Sequence, residues 1–218
     1  LVGTRYDGLW KSTDAGASWS QVSGIPTDAG GRGVRAVVFD PNNPNKVYCN
    51  ARGSGVYHSI DGGNSWSLIS GSDQSSRRLA VASDGTLYIT GNGAIYKYKN
   101  NTLTSVLPNK DFMYNGIVVS PTDPNFVVVS RQADWIGVEI YKSTNGGESW
   151  TNIFQNAPKT NAVPWYSLGW FSSAPSCMFI NPNNTNELFL GDWYLVWKSS
   201  NIKDAAPAFS SVPWGHEE

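Results

Sequence analysis

The chain has 218 residues, of which 15% are charged and 13% aromatic, and its formal net charge is -1. This length allows one well-buried domain or two small ones, and the near-neutral balance excludes the basic footprint that nucleic acid or an anionic membrane would require. No apolar run approaches the roughly 18 residues of a membrane helix, while 10 Trp, 22 Gly and 12 Pro disfavour a helical bundle and favour short strands joined by tight turns.

The chain opens at Leu1 on strand-like sequence without a signal-peptide pattern, which fits a leader either removed or never included. The first punctuated segment is Ser12-Thr-Asp14-Ala-Gly16-Ala-Ser18-Trp19. Strands are predicted next at 34–39, 46–50 and 56–59, with Asp40-Pro-Asn-Asn-Pro-Asn45 as the turn between the first two. A second segment, Ser59-Ile-Asp61-Gly-Gly63-Asn-Ser65-Trp66, leads into a strand at 65–69. Ser83-Asp-Gly-Thr-Leu-Tyr88 is a shortened relative of the Pro-Asn turn, and a unit without the Trp motif centres on 94–98. Ser120-Pro-Thr-Asp-Pro-Asn125 repeats the turn, and Ser143-Thr-Asn145-Gly-Gly147-Glu-Ser149-Trp150 is the third motif copy, with Asn for Asp. Asn181-Pro-Asn-Asn-Thr-Asn186 and Val196-Trp-Lys-Ser199 mark a fifth, degenerate unit.

The three motif copies align without gaps as S-x-D-x-G-x-x-W, the Asp box. Ser59 follows Ser12 by 47 positions and Ser143 follows Ser59 by 84, close to two further units. A period of about 40–50 residues with four strands per unit is the signature of a β-propeller. The predicted fold is therefore all-β, a propeller of four-stranded blades. About four and a half blades are expected within one unit of organisation spanning 1-218, with divisions near 1-24, 25-70, 71-108, 109-155 and 156-218. The motif itself reads as a fold element: Asp accepts from turn amides, Gly supplies positive φ and Trp packs between blades. The first unit lacks its inner strand and no surplus strand closes the ring, so the expectation is a piece of a longer protein or one that pairs with a complementary segment. A five-bladed ring short of one strand is the rival. Cys49 and Cys177 are expected as two buried free thiols in non-adjacent blades. Asn-x-Thr sequons begin at Asn100 and Asn183.

Strand alternation puts the motif turns and Pro-Asn turns on one face and the irregular connections on the other. These include Gln132-Ala-Asp134-Trp135-Ile-Gly137, Gly191-Asp192-Trp193-Tyr194, and a long connection from about 154 to 174 carrying Trp165, Tyr166, Trp170 and Phe171. Long loops in compact domains are usually functional. Aromatic faces beside carboxylates suit sugar rings. Trp135, Trp165, Tyr166, Trp170 and Trp193 are accordingly candidate sugar platforms, with Asp134 and Asp192 as candidate partners for hydroxyls. The alternative for each is a plug of the channel or a solvated loop residue.

Other chemistries find little support. Arg32, Arg35, Arg52, Arg77, Arg78 and Arg131 lie on or near the loop face, as a sialidase would need, but no Phe-Arg-Ile-Pro signature or tyrosine–glutamate pair accompanies them. Two histidines, His58 and His216, are too few for a zinc site, and His58 beside a motif reads as structural. No phosphate loop, dinucleotide fingerprint or nucleophile elbow occurs. No cofactor or metal is expected.

Gly8-Leu-Trp-Lys-Ser-Thr-Asp-Ala-Gly-Ala-Ser-Trp19 followed by Val22-Ser-Gly-Ile-Pro26 resembles the first lobe of glycoside hydrolase family 74, the xyloglucanases and oligoxyloglucan-specific cellobiohydrolases. Phe179-Ile-Asn-Pro-Asn-Asn184, Gly191-Asp-Trp193, Val196-Trp-Lys-Ser199 and Trp214-Gly-His-Glu-Glu218 extend the resemblance over essentially the whole chain, the last being similar to a Gly-x-Glu-Glu segment that closes that lobe. The resemblance implies two seven-bladed propellers with the substrate between them, and inverting hydrolysis of β-1,4-glucan by two aspartates, one protonating the leaving oxygen and one activating water. It puts these aspartates in an early Thr-Asp-x-Gly-Gly motif and in a Gly-Asp-x-x-Gly-Phe motif after the Glu-Glu segment. This chain matches neither, and Asp192 in Gly-Asp-Trp is a different location. His216 and Glu217 would lie near the lobe junction.

The expected function is a segment of a secreted xyloglucan-active hydrolase that carries substrate wall but no catalytic aspartate. Its expected partners are a plant cell-wall polysaccharide or oligosaccharide and the remainder of its polypeptide or a complementary propeller segment, with no nucleic acid and no membrane. A noncatalytic propeller binding a glycan or protein is the alternative, and a sialidase-like hydrolase a further one.

Overall fold

Backbone amides of a strand-rich chain are satisfied by pairing along the sequence, and here that pairing builds five successive sheets. The computed structural model describes residues 1–26, 33–106, 113–133, 137–154, 156–160, 175–191 and 196–212. All regular structure among them is β.

The first sheet has three strands, β1 (Val2–Gly3), β2 (Leu9–Lys11) and β3 (Ser20–Gln21), in that order. The second contains β4 (Val34–Asp40), β5 (Asn43–Ala51), β6 (Gly55–Ser59) and β7 (Ser67–Leu68). The third contains β8 (Arg78–Val81), β9 (Leu87–Thr90), β10 (Ile95–Lys99) and β11 (Thr102–Ser105). The fourth contains β12 (Met113–Ser120), β13 (Asp123–Ala133), β14 (Gly137–Ser143) and β15 (Thr151–Asn152). The fifth contains β17 (Cys177–Ile180), β18 (Leu188–Gly191), β19 (Val196–Ser199) and β20 (Phe209–Val212), joined on its outer edge by β16 (Lys159–Thr160). Within each sheet the strands follow chain order and pair antiparallel, apart from β16, which runs parallel to β20. This is the meander of a propeller blade.

The apolar residues gather at four seams between successive sheets. Leu9, Val22 and Ile25 meet Val34, Cys49 and Tyr57 at the first. Tyr48 and Val56 meet Leu87 and Ile89 at the second, and Tyr88 and Ile95 meet Tyr114 and Val127 at the third. At the fourth, Phe126, Val128 and Phe154 meet Leu190, Trp197 and Phe209. Strand alternation explains why the run Phe126-Val-Val-Val129 is apolar throughout: Val127 and Val129 face one seam, Phe126 and Val128 the other. Among the described residues no fifth seam joins the first and last sheets, and Trp19 and Phe179 at the two ends are exposed.

The eight-residue motifs close the β2–β3, β6–β7 and β14–β15 hairpins. In each, the first Ser hydroxyl donates to the Asp or Asn oxygen two residues on, at 2.8–2.9 Å. That oxygen also accepts the backbone N–H of Ser18, Ser65 or Ser149 at 2.9–3.0 Å. Trp66 and Trp150 then pack into the seams with the preceding sheets. Where a motif is absent, the turn changes. The β10–β11 hairpin turns on Asn100 and Asn101, both with positive φ (49° and 59°), the two-residue type I′ geometry. In the fifth sheet Ser199 and Asn201 keep the first contact at 3.3 Å, a remnant of the motif.

A second repeated device ties neighbouring blades. The residue before the motif serine is Lys11, His58, Lys142 or Lys198, and Lys97 holds the matching place on β10. Lys11 Nζ donates to Gly62 O at 2.9 Å, Lys97 Nζ to Gly146 O at 3.1 Å and Lys142 Nζ to Ile202 O at 3.1 Å, each reaching the turn of the next sheet. His58 faces the Asn-Asn turn of the third sheet, and there it packs edge-on against Tyr98 instead.

One expectation fails. Cys49 is buried, but Cys177 is exposed. On β17, Met178 and Ile180 turn into the fourth seam, so Cys177 and Phe179 project from the opposite face, which no described segment covers.

Candidate functional site

The two ends of the sheets are built differently. At one end the Pro-Asn turns dock onto the motif turns: Gly62 N–H donates to Asn45 O at 2.8 Å and Gly146 N–H to Asn125 O at 2.9 Å. Backbone groups there satisfy one another. The opposite end carries the described β1–β2, β5–β6 and β9–β10 turns and the paired ends of β13 with β14 and of β18 with β19.

All nine candidate positions from the sequence, Asp134, Trp135, Trp165, Tyr166, Trp170, Asp192, Trp193, His216 and Glu217, lie outside the described residues. The described strands show where their connections start. Pairing of β13 with β14 continues to Ala133 and Gly137, and that of β18 with β19 to Gly191 and Val196. Thr160 and Pro175 bound the third connection. These flanking residues belong to the fourth and fifth sheets or adjoin them.

The described floor of the end away from the motif turns is rich in arginine. Arg131 on β13 pairs with Glu139 on β14 at 3.0 Å, and the Tyr141 hydroxyl donates to the same carboxylate at 3.0 Å. Both ion-pair partners are largely buried (11% and 15% exposed), so the pair is shielded from salt. Burial pushes the neighbouring Tyr114 phenol up to about 12, so it stays protonated and can donate. Among the described carboxylates of this end, Asp73 accepts from Ser75 and from Asn92 N–H, Glu139 is held as above, and Asp7 sits exposed in the β1–β2 turn. Asp73 and Glu139 are thus engaged in structural contacts. Four further arginines, Arg35, Arg52, Arg77 and Arg78, gather at the ends of the second and third sheets. All four are among the arginines that the sequence puts on or near the loop face, and the pairing of the second and third sheets brings them together.

No cluster able to hold a metal ion occurs among the described residues. Burial lowers the His58 pKa, with Lys46 adding to the effect, and its contact with Tyr98 makes it a packing residue.

The successive four-stranded meanders, with seams between them and turns segregated to one end, define the chain as part of a β-propeller. It is 31% identical to xyloglucanase Xgh74A of Acetivibrio thermocellus, over 83% of this chain and 27% of that enzyme. It is 26% identical to a probable oligoxyloglucan-reducing end-specific xyloglucanase of Neosartorya fischeri, over 100% of this chain and 38% of the enzyme. A glycoside hydrolase family 74 enzyme of Niastella koreensis superposes with a TM-score of 0.81 and 26% identity, over 95% of this chain and 35% of its own. No family model matches. The chain belongs to glycoside hydrolase family 74, and it spans between about a quarter and two fifths of the curated relatives it matches.

Proposed function

We propose that this chain is the substrate-wall segment of a secreted xyloglucan-active glycoside hydrolase, with Asp boxes as structural turns and no catalytic aspartate of its own. The observation that carries the reading is its similarity, along most of its length, to enzymes named as xyloglucanases. It is supported by the concentration of aromatics in three sequence segments that connect strands of the fourth and fifth sheets. Trp135, Trp165, Tyr166, Trp170 and Trp193 would stack on the apolar faces of sugar rings, and Asp134 and Asp192 would accept from hydroxyls. His216 and Glu217 would complete the wall toward the rest of the polypeptide. An inverting enzyme needs two carboxyl groups far enough apart to admit water. Of the described carboxylates at this end, Asp73 and Glu139 are already committed to N–H, hydroxyl and guanidinium donors, and exposed Asp7 has no second uncommitted carboxyl beside it among the described residues.

Affinity electrophoresis in xyloglucan tests the reading. The folded chain should be retarded, and Trp165→Ala with Trp170→Ala should cancel the retardation. Unchanged migration of the folded parent chain would count against a sugar wall.

A further inference from the structure

A positive cluster sits at the ends of the second and third sheets. The Arg35 backbone N–H donates to Asn50 Oδ1 at 3.2 Å, and Asn50 Nδ2 in turn donates to Ser76 O at 3.1 Å. Arg35 Nη1 reaches the same carbonyl at 3.5 Å, beside Arg77. Arg52 is held at the β5–β6 turn by its N–H to Gly33 O at 3.0 Å, and Gly53 N–H donates to Gln74 O at 2.9 Å. Arg78 is anchored through Nε to Ser176 O at 3.2 Å and through Nη1 to Arg77 O at 3.3 Å. The backbone thus fixes the bases of these side chains close together.

None of the four forms an ion pair with a described residue, and Arg77 Nε is buried without a hydrogen-bond partner. Partial burial and mutual repulsion lower the pKa of both Arg35 and Arg77. Guanidinium does not escape such repulsion by losing its proton, so a bound anion would be the means of relieving it. A cavity of about 170 Å³ opens between Thr4, Arg5, Gly33, Val34, Arg35 and Arg52. It is smaller than the roughly 300–1,000 Å³ clefts that take drug-sized ligands, and so suits one small group. The cavity wall is tight: a Cβ on Gly33 would lie 2.1 Å from Thr4 O.

We propose that Arg35 and Arg52 at the cavity, with Arg77 and Arg78 beside them adding positive charge, form an oxyanion site that takes the carboxylate of an acidic sugar, so that the wall binds a uronate group beside a neutral glucan. Planar guanidinium forks match carboxylate oxygens in pairs. The identity of the sugar rests on the glycan reading above; the anion site itself does not.

Calorimetric titration of the whole chain with trigalacturonate, cellotriose and inorganic phosphate, at two salt concentrations, tests this. Trigalacturonate should bind more tightly than either comparator and weaken at high salt. The Arg35→Ala/Arg52→Ala variant, altered at two exposed positions, should lose about 10-fold or more in affinity, as expected for charged hydrogen bonds. Arg35→Lys/Arg52→Lys keeps the charge but not the fork and should also bind more weakly than the parent. Equal binding of phosphate or cellotriose, or an unchanged affinity in both variants, would overturn the proposal. If uronate binding persists while xyloglucan fails to retard the chain, the anion site stands and the glucan reading falls. The reverse result removes the anion site alone.

Discussion

Asp14, Asp61 and Asn145 hold the same turn with one hydrogen bond reversed. Ser18 and Ser65 donate their hydroxyls to the second carboxylate oxygen at 2.6 Å, whereas Asn145 Nδ2 donates to Ser149 Oγ at 2.9 Å. Serine can play either part, which explains why the third copy tolerates Asn. These donors hold the Asp14 carboxyl down at about 2 and the Asp61 carboxyl well below the usual carboxylate range. Since the folded pKa is depressed, the stabilisation is present above the unfolded value near 4 and is lost as pH falls through the folded one. Thermal melts between pH 7 and pH 2 should therefore show Tm falling below about pH 4. In Asp14→Asn/Asp61→Asn that fall should be shallower, and an identical acid response would contradict the assignment. Lys142 offers a second test. Its buried ammonium ties two blades through Ile202 O and Asp204 O at 3.1 and 2.5 Å. Lys142→Ala should cost about 2 kcal/mol in denaturant unfolding. The motif serines and aspartates were legible in the sequence because the turn needs fixed spacing. The lysine before them was not, because its partner is a backbone carbonyl of another blade and leaves no mark on residue identity.

Elements were legible where their turns carry chemistry. The Pro-Asn and Ser-x-Asp signals bracket strands closely in the second and fourth sheets. The third sheet lacks its motif because Asn100 and Asn101 make the reversal in two residues. Asn tolerates positive φ better than a β-branched residue does. Asn101→Val should therefore lose about 1–2 kcal/mol by equilibrium unfolding; an unchanged midpoint would argue against the type I′ turn. The connection after the fourth sheet reads in sequence as one long loop, yet Lys159 and Thr160 pair in parallel with Phe209 and Ser210. Two residues cannot show a period-2 pattern, so β16 was not visible. Cys177 was misjudged for a related reason: apolar neighbours on a short strand do not reveal which face is covered.

Over the whole molecule, stability resides in the seams. Phe154 packs edge-on against Phe209 with ring centroids 4.9 Å apart and lies near Trp197. Phe154→Ala should cost about 3–5 kcal/mol, read from the denaturant midpoint, and a loss under 1 kcal/mol would mean that the fourth seam does not hold the fifth sheet. The repeat period made this architecture readable, because each unit must bury both faces against its neighbours. The candidate wall residues lie outside the described residues, and the convergence of arginines from separate sheets was not legible because it depends on register across blades. The proposed wall segment would bind xyloglucan without cutting it. The most direct measurement incubates the folded chain with xyloglucan and follows both retention on the polymer and release of reducing ends. Retention without release is the predicted result. Release of reducing ends at the rate of a working glucanase, or no retention at all, would contradict it.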